Sequence, residues 1–188
     1  MKRAYLIHGW GGKPEGGFRP WLRDQLHAAG WAVTILELPH PDLPIIDEWM
    51  LYTKETIQNP DSETLIVGHS LGGQVALRFA ESISGISYIG KIILVAPVVE
   101  TVFGLTDDQK KIIHPWLVAP IDDEKVKKCC SNIVGFFSDN DRWIPKENME
   151  FLKKRFHAKI IVESGMGHYN SESGIASVPG VYTEILTY

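Results

Sequence analysis

One serine of the chain lies in a sequence context that is typical of a nucleophile. Ser70 is the central residue of the pentapeptide GHSLG (residues 68–72), which matches the pattern G-x-S-x-G. An apolar run at 64–67 predicts a strand before it, and helical spacing at 71–83 predicts a helix after it. The serine would then lie on a sharp turn, where side chains at the two glycine positions would collide with the neighbouring strand or helix. We therefore interpret Ser70 as a nucleophile at a helix N-terminus; the alternative is a serine that only caps an ordinary helix.

A histidine and an acid follow in the order that this motif requires. A serine hydroxyl is a poor nucleophile without a general base, and in enzymes with this motif the acid and then the histidine come later in the chain. His168, flanked by glycines in the loop after the last predicted strand, is the candidate base. Asp141 and Asp139 both follow the fifth predicted strand; Asp141, which begins the sequence D-x-x-I-P, is favoured as the acid, with Asp139 as the alternative. All of these loops lie at the C-terminal ends of strands, the edge at which open parallel sheets bind ligands.

The glycine-rich segment HGWGGKPEGGF (residues 8–18) follows the first predicted strand. It does not match a phosphate-binding P-loop, because Ile7 occupies the first glycine position and Pro14 the position of the Ser or Thr. It does not match the dinucleotide pattern G-x-G-x-x-G either, because Pro14 also stands at the third glycine position. We expect this loop to present a backbone N–H beside the nucleophile as one half of an oxyanion hole, with the N–H of Leu71 as the other half.

Short apolar runs alternate with segments of helical spacing, which predicts an α/β fold with a parallel sheet covered on both faces. The predicted strands are 4–7, 32–36, 64–67, 91–95, 133–137 and 159–162, and the predicted helices are 18–29, 44–58, 71–83, 123–130, 146–156 and 178–188. The connection between Pro97 and Ile133 is unusually long, and its two prolines, Pro115 and Pro120, are expected to divide it into two short helices. We interpret about 98–122 as a small cap-like insertion in a single domain, 1–188; the alternative is a surface insertion without a role.

Composition and charge exclude several classes of function. The formal net charge is −4 and the basic residues form no sustained run, so a nucleic-acid partner is not expected. No apolar stretch approaches the roughly 20 residues of a membrane helix, and no signal-peptide pattern is present at the start. The adjacent cysteines Cys129 and Cys130 cannot pair without severe strain, which favours a cytoplasmic protein with reduced thiols. Because His-x-x-x-His and Cys-x-x-Cys spacings are absent, we expect no metal and no other cofactor.

Together these motifs resemble the α/β-hydrolase superfamily and, more closely, the small serine hydrolases of the retinoblastoma-binding protein 9 / YdeN family. The likeness runs through nearly the whole chain. It implies a minimal α/β-hydrolase, a three-layer αβα fold whose six-stranded parallel sheet has the order 2-1-3-4-5-6. It also implies a Ser-Asp-His triad at Ser70, Asp141 and His168. The related enzymes place the second oxyanion donor after a His-Gly pair, which here points to Trp10.

One motif associated with the family name is missing. Binding to the retinoblastoma pocket uses Leu-x-Cys-x-Glu, but Lys127 and Lys128 occupy the positions two before Cys129 and Cys130. Binding to the retinoblastoma pocket is therefore not supported, and the expected partner is a small-molecule acyl substrate.

The sequence thus predicts a serine hydrolase that cleaves a small ester, thioester or amide through an acyl-enzyme. It would be carboxylesterase-like, with peptidase or thioesterase activity as variants. Two alternatives remain open, a protein-binding module on a hydrolase fold and a cofactor-free haloperoxidase or lyase on the same triad. Residues at the predicted active edge are candidates for the substrate pocket, with plain packing as the alternative for each: Gly9, Trp116, Trp143, Met166 and Tyr169.

Overall fold

Six parallel strands form the centre of the fold in the computed structural model, which describes residues 1–187. The strands are β1 (Arg3–Ile7), β2 (Ala32–Ile35), β3 (Thr64–His69), β4 (Lys91–Val95), β5 (Ile133–Ser138) and β6 (Lys159–Glu163). Their order in the sheet is β2-β1-β3-β4-β5-β6, and every neighbouring pair is parallel. The expected sheet and its order are confirmed. Strands β3, β4 and β5 are buried at every residue, which explains why their sequences do not alternate between apolar and polar.

Helices cover both faces of this sheet. The seven α-helices within residues 1–187 are α1 (Arg19–Ala28), α2 (Ile46–Thr56), α3 (Leu71–Ile83), α4 (Asp107–Val118), α5 (Asp123–Cys129), α6 (Glu147–Phe156) and α7 (Pro179–Leu186). Helix α3 packs on β1, β3 and β4 and contacts α2 and α5, whereas α1 packs on β2 and α7. The C-terminal helix predicted over 178–188 reaches Tyr188, which lies outside the described residues. None of the helices that the structure describes combines the length and apolar content that a bilayer span requires.

The long connection between β4 and β5 contains α4 and α5. Pro115 was expected to break this segment, but α4 continues through it to Val118. The helix tolerates the missing N–H because tertiary contacts hold its C-terminal turn. The guanidinium of Arg78, on α3, donates to the carbonyl oxygens of Trp116 at 3.2 Å and Ala119 at 2.8 Å. Residues 116–118, which follow the proline that was expected to divide the segment, are therefore helical.

The chain reverses its winding direction between β1 and β3, which lie side by side in the sheet. After β1 the chain crosses to β2 on one side, and after β3 it crosses to β4 on the other. The loop that follows β1 and the turn that follows β3 therefore meet at the same crevice, the position at which open α/β sheets bind ligands. Ser70 and the glycine-rich loop both belong to this crevice.

Candidate active site

Ser70 occupies a strained turn between β3 and α3. Its backbone has φ 54° and ψ −120°, a conformation that L-residues rarely adopt. The two flanking glycines permit this turn: a Cβ on Gly68 would lie 2.4 Å from the carbonyl oxygen of Gly72, and a Cβ on Gly72 would lie 2.6 Å from the carbonyl oxygen of His8. The expectation that both positions must be very small is therefore confirmed. The turn holds the Ser70 hydroxyl at the N-terminus of α3, where backbone N–H groups and the helix dipole favour negative charge.

The structure brings Ser70, His168 and Asp141 together in one hydrogen-bonded chain. The Nε2 atom of His168 lies 3.0 Å from Ser70 Oγ, and its Nδ1 atom lies 2.8 Å from Asp141 Oδ2. The other carboxylate oxygen of Asp141 accepts the backbone N–H groups of Trp143 at 2.8 Å and Ile144 at 3.2 Å. The Asp141 side chain is 2% exposed and that of His168 is 12% exposed. Because Asp141 Oδ2 accepts the Nδ1 proton, Nε2 is free to accept the hydroxyl proton of Ser70.

Asp139, the alternative acid, lies near the site but does not contact the imidazole. Its carboxylate accepts from Ser164 Oγ at 2.7 Å and from the N–H of Gly165 at 2.9 Å. These bonds from Gly165 and Ser164 lower the pKa of Asp139. Its neighbours also reach the histidine loop: Ser138 Oγ accepts the N–H of Met166, and Asn140 Oδ1 accepts the N–H of Gly167. Each residue of the acid loop (138–141) is thus hydrogen-bonded to the histidine loop (164–168). The acid loop therefore positions the histidine loop.

Two buried histidines support the site, and sequence reasoning missed both. The Nε2–H of His69 donates to the carbonyl oxygen of His168 at 2.8 Å. The N–H of Leu38 donates to Nε2 of His8 at 3.1 Å, so His8 carries its proton on Nδ1 and donates it to the carbonyl oxygen of Gly9 at 2.8 Å. Burial lowers the pKa of His8 and holds that of His69 well below its usual value. The only sequence signal was that His8 belongs to the HG pair and His69 to the GHS motif. Neither motif indicates which groups these imidazoles would bond.

The glycine-rich loop packs directly on Ser70. A Cβ on Gly9 would lie 2.7 Å from Ser70 Cβ, so only glycine permits this approach. The loop is held by the indole N–H of Trp10, which donates to the carbonyl oxygen of Asp42 at 3.0 Å, and by the N–H of Gly11, which donates to that of Pro41 at 2.8 Å. Within residues 1–187 the backbone N–H groups of Trp10 and Leu71 donate no hydrogen bond. Both are therefore available to an oxygen atom of a ligand.

Two clefts meet at Ser70 and His168. The first, which we call the apolar cleft, has a volume of about 490 Å³. Its apolar wall comes from the turn after Ser70, the segment after β4, helix α4 and the loop after β5: Leu71, Val98, Val102, Leu105, Ile112, Ile113, Trp143 and Ile144. The second, the glycine-loop cleft, has a volume of about 310 Å³ and is lined by residues 9–13, 16, 17 and 19 together with residues 69, 70, 168 and 170–172.

Of the five predicted pocket residues, two line these clefts. Trp143 lines the apolar cleft and Gly9 lines the glycine-loop cleft. Met166 is half-buried and lines neither cleft. The predictions for Trp116 and Tyr169 are wrong, because both side chains are directed into the core.

The physical reasons for these two corrections are visible in their hydrogen bonds. Trp116 is 1% exposed because α4 continues past Pro115 and turns this face inward; its indole N–H donates to the carbonyl oxygen of Pro44 at 3.0 Å. Tyr169 is fully buried, and its hydroxyl lies 2.9 Å from both the Phe137 carbonyl oxygen and a carboxylate oxygen of Glu163. Burial and the Glu163 carboxylate raise the pKa of Tyr169. Neither side chain lines the apolar cleft or the glycine-loop cleft.

A metal centre has no candidate ligand set in the described part of the chain. No group of three or more His, Cys, Asp or Glu side chains among residues 1–187 is arranged to hold an ion.

Comparison with known proteins agrees with this fold. The model of the serine hydrolase family matches residues 4–186. The YdeN protein of Bacillus subtilis (strain 168) is 27% identical over 191 residues, which cover 100% of this chain and 96% of that protein. The serine hydrolase RBBP9 of Rattus norvegicus is 26% identical over 172 residues, 90% of this chain and 88% of that protein. The chain belongs to the serine hydrolase family.

Solved structures show the same architecture. The crystal structure of the B. subtilis ydeN gene product superimposes with a TM-score of 0.91 at 25% identity, covering 100% of this chain and 98% of that one. Est1E of Butyrivibrio proteoclasticus, a more distant structure at 15% identity, gives a TM-score of 0.73 and covers 100% of this chain and 89% of that one. The fold is that of the α/β-hydrolases.

Proposed function

We propose that this protein hydrolyses a small carboxylic ester through an acyl-enzyme on Ser70, with His168 as general base and acid and Asp141 as the group that orients the imidazole. The observation that carries the proposal is the continuous chain from Ser70 Oγ through His168 to Asp141, with distances of 3.0 and 2.8 Å. Nucleophile and base lie within hydrogen-bonding reach, and a third group orients the base, as acyl transfer by a serine requires.

The first half of the reaction forms the acyl-enzyme. Ser70 Oγ attacks the carbonyl carbon of the substrate while His168 Nε2 takes the hydroxyl proton, and Asp141 stabilises the imidazolium cation. The negative charge that develops on the carbonyl oxygen is stabilised by the N–H groups of Trp10 and Leu71. Collapse of the tetrahedral intermediate breaks the bond to the leaving group, which takes its proton from His168 Nε2.

The second half regenerates the enzyme. Water replaces the leaving group, and His168 removes a proton from it as it attacks the acyl carbon. The same two N–H groups stabilise the second oxyanion. When this intermediate collapses, Ser70 Oγ leaves, recovers the proton from His168, and the carboxylic acid is released.

The apolar cleft supports an ester with an apolar acyl chain as the substrate class. Its volume of about 490 Å³ and its aliphatic wall suit a short to medium chain, and the cleft opens directly onto Ser70. Est1E, whose structure shares this fold, has ferulic acid bound in one crystal structure, which supports a carboxylic acid or its ester as the ligand class. Thioesters and amides react through the same steps and are the variants to be tested beside the ester.

The decisive experiment measures kcat/KM for a series of 4-nitrophenyl esters of increasing acyl length, together with labelling by a fluorophosphonate probe. Wild type should turn over the esters and become labelled, whereas Ser70→Ala should lose labelling and about four to six orders of magnitude in kcat. A protein that is folded but neither labelled nor active on esters, thioesters or amides would contradict the proposal and favour a binding module. Labelling of Ser70 without hydrolysis of esters, thioesters or amides would favour a lyase or haloperoxidase on the same triad.

A further inference from the structure

The glycine-loop cleft is chemically different from the apolar cleft on the other side of Ser70. Its lining includes five glycines, Trp10, His69, Ser70 and His168, together with the charged residues Lys13, Arg19 and Glu172. Lys13 and Arg19 line this cleft and do not line the apolar cleft. A substrate group that fills the glycine-loop cleft therefore meets two cationic residues that the apolar cleft lacks.

Arg19 is buried in this cleft without a counter-ion. It is the first residue of α1 and is 5% exposed. Its guanidinium donates from Nη2 to the carbonyl oxygen of Lys13 at 2.7 Å, and its Nε is buried with no hydrogen-bond partner. Among residues 1–187 no carboxylate forms an ion pair with it. Burial of a charge is costly unless an opposite charge or hydrogen bonds compensate it, so this guanidinium retains capacity for an anion.

The carboxylates of Glu15 and Glu172 already have partners. Glu15 pairs with Arg23 at 2.9 Å, and its charge only partly offsets the lowering of the Arg19 pKa by burial. Glu172 lines the cleft and pairs with Arg142. Burial lowers the pKa of Arg19 to about 10, so the guanidinium stays protonated at neutral pH. Exposed Lys13 adds a second positive charge at the mouth of the cleft.

We propose that the glycine-loop cleft binds a carboxylate group of the substrate through Arg19, so that the enzyme prefers esters with a carboxylate on one side of the scissile bond and an apolar group on the other. The planar guanidinium offers the fork of N–H donors that matches a carboxylate. This inference rests on the proposed function, because it assigns the substrate of the same serine.

Three matched esters test the inference. The neutral reference is 4-nitrophenyl butyrate; mono(4-nitrophenyl) succinate carries a carboxylate on the acyl side, and 3-carboxy-4-nitrophenyl butyrate carries one on the leaving group. The measured quantity is the ratio of kcat/KM for each carboxylated ester to that for the neutral ester. Comparison of this ratio between variants cancels the intrinsic reactivity of each ester.

Arg19→Met should lower this ratio by about tenfold for at least one carboxylated ester, the expected loss for a charged hydrogen bond. Arg19→Lys, which keeps the charge but not the fork, should retain a higher ratio than Arg19→Met. Lys154→Met is the control: it removes an exposed cation on α6, which does not line the glycine-loop cleft. It should leave the ratio within about twofold, because solvent and salt screen an exposed charge outside the cleft.

A second readout does not depend on turnover. At constant ionic strength, sodium butyrate should raise the Tm of Ser70→Ala more than the neutral isostere butyramide does, and the added substitution Arg19→Met should abolish this difference. Equal ester ratios in wild type and Arg19→Met, with no butyrate effect, would overturn the inference while turnover of the neutral ester upholds the proposed function. If wild type shows no turnover and no labelling, the proposed function fails, and a butyrate effect that requires Arg19 still supports an anion site.

Discussion

The substitution Gly9→Ala should slow ester turnover by about two to three orders of magnitude without unfolding the protein. An added Cβ would lie 2.7 Å from Ser70 Cβ and 3.1 Å from the carbonyl oxygen of His69. Ordinary contact begins at 3.4 Å, so the loop would retreat by roughly 0.7 to 1 Å, a displacement that can cost about 100-fold in rate. Because Gly9 does not adopt a positive φ, alanine can take its backbone conformation. The damage should therefore be confined to the position of the Trp10 N–H.

The assay is kcat and KM for 4-nitrophenyl butyrate together with the Tm of each variant. Loss of an oxyanion donor acts on the transition state, so kcat should fall much more than KM changes. Gly85→Ala is a stability-matched control, because Gly85 has φ 82° with no atom within 4 Å of an added Cβ. It should lose about 1 kcal/mol of stability from backbone strain and keep its kcat. If Gly9→Ala retains kcat within about threefold of wild type, the loop does not supply the donor.

Three further predictions concern the acid, the buried histidines and the thiols. Asp141→Asn should lower kcat by about 10⁴, because an amide would hold His168 in the wrong tautomer. Because burial lowers the pKa of His8 and His69, the free energy of unfolding should fall as the pH drops below about 6.5. The decrease should be at most about 1.4 kcal/mol per pH unit for each histidine. Urea titrations at pH 5 and pH 7 measure this free energy. Cys129 and Cys130, whose pKa values burial raises to about 11 and 12, should react with a disulfide reagent only after unfolding.

Each of these has a control or an opposing outcome. Asp139→Asn removes a carboxylate from the same loop that does not touch the imidazole, so a loss as large as that of Asp141→Asn would contradict the assignment of the acid. The pH effect has a defined sign: a group whose pKa is depressed in the folded state contributes stability above its unfolded pKa and loses it as pH falls. Unchanged stability between pH 7 and 5 would contradict the neutral, buried histidines. Rapid thiol labelling of the folded protein would contradict the burial of the two cysteines.

Much of the fold could be predicted because the physical signals were local. Non-alternating apolar runs indicated strands buried on both faces, and the alternation of strands with helices indicated parallel pairing. The end of α4 could not be predicted in this way. Pro115 is a strong local signal against a helix, but the contacts of Arg78 with the last carbonyl groups outweigh it. Those contacts join residues far apart in the sequence, so no local pattern contains them.

In the candidate site too, residues with a local sequence signal could be predicted, and residues whose environment depends on tertiary packing could not. The sequence was sufficient to predict Ser70, Asp141 and His168. A turn with strict steric demands defines the position of the serine, and two loops at one edge of the sheet define those of the acid and the histidine. Trp116 and Tyr169 were wrongly placed in the pocket, because proximity to that edge does not reveal whether a side chain is directed into the core. Arg19 gave no signal at all: an arginine in the first turn of an amphipathic helix is ordinarily exposed, and only tertiary packing buries it.

The loop SDND (residues 138–141) explains how a short surface connection can hold a base accurately. All four of its side chains accept hydrogen bonds from consecutive donors of the histidine loop, and only the last of them reaches the imidazole itself. Loops are ordinarily the mobile part of an α/β fold, and a 1 Å displacement of a base can cost about 100-fold in rate. Five hydrogen bonds are distributed along the two loops, so one residue cannot shift without straining the others. Asn140, which bonds to Gly167 beside the base and lines neither cleft, is therefore a positioning residue, and Asn140→Ala should lower kcat for 4-nitrophenyl butyrate with little change in KM.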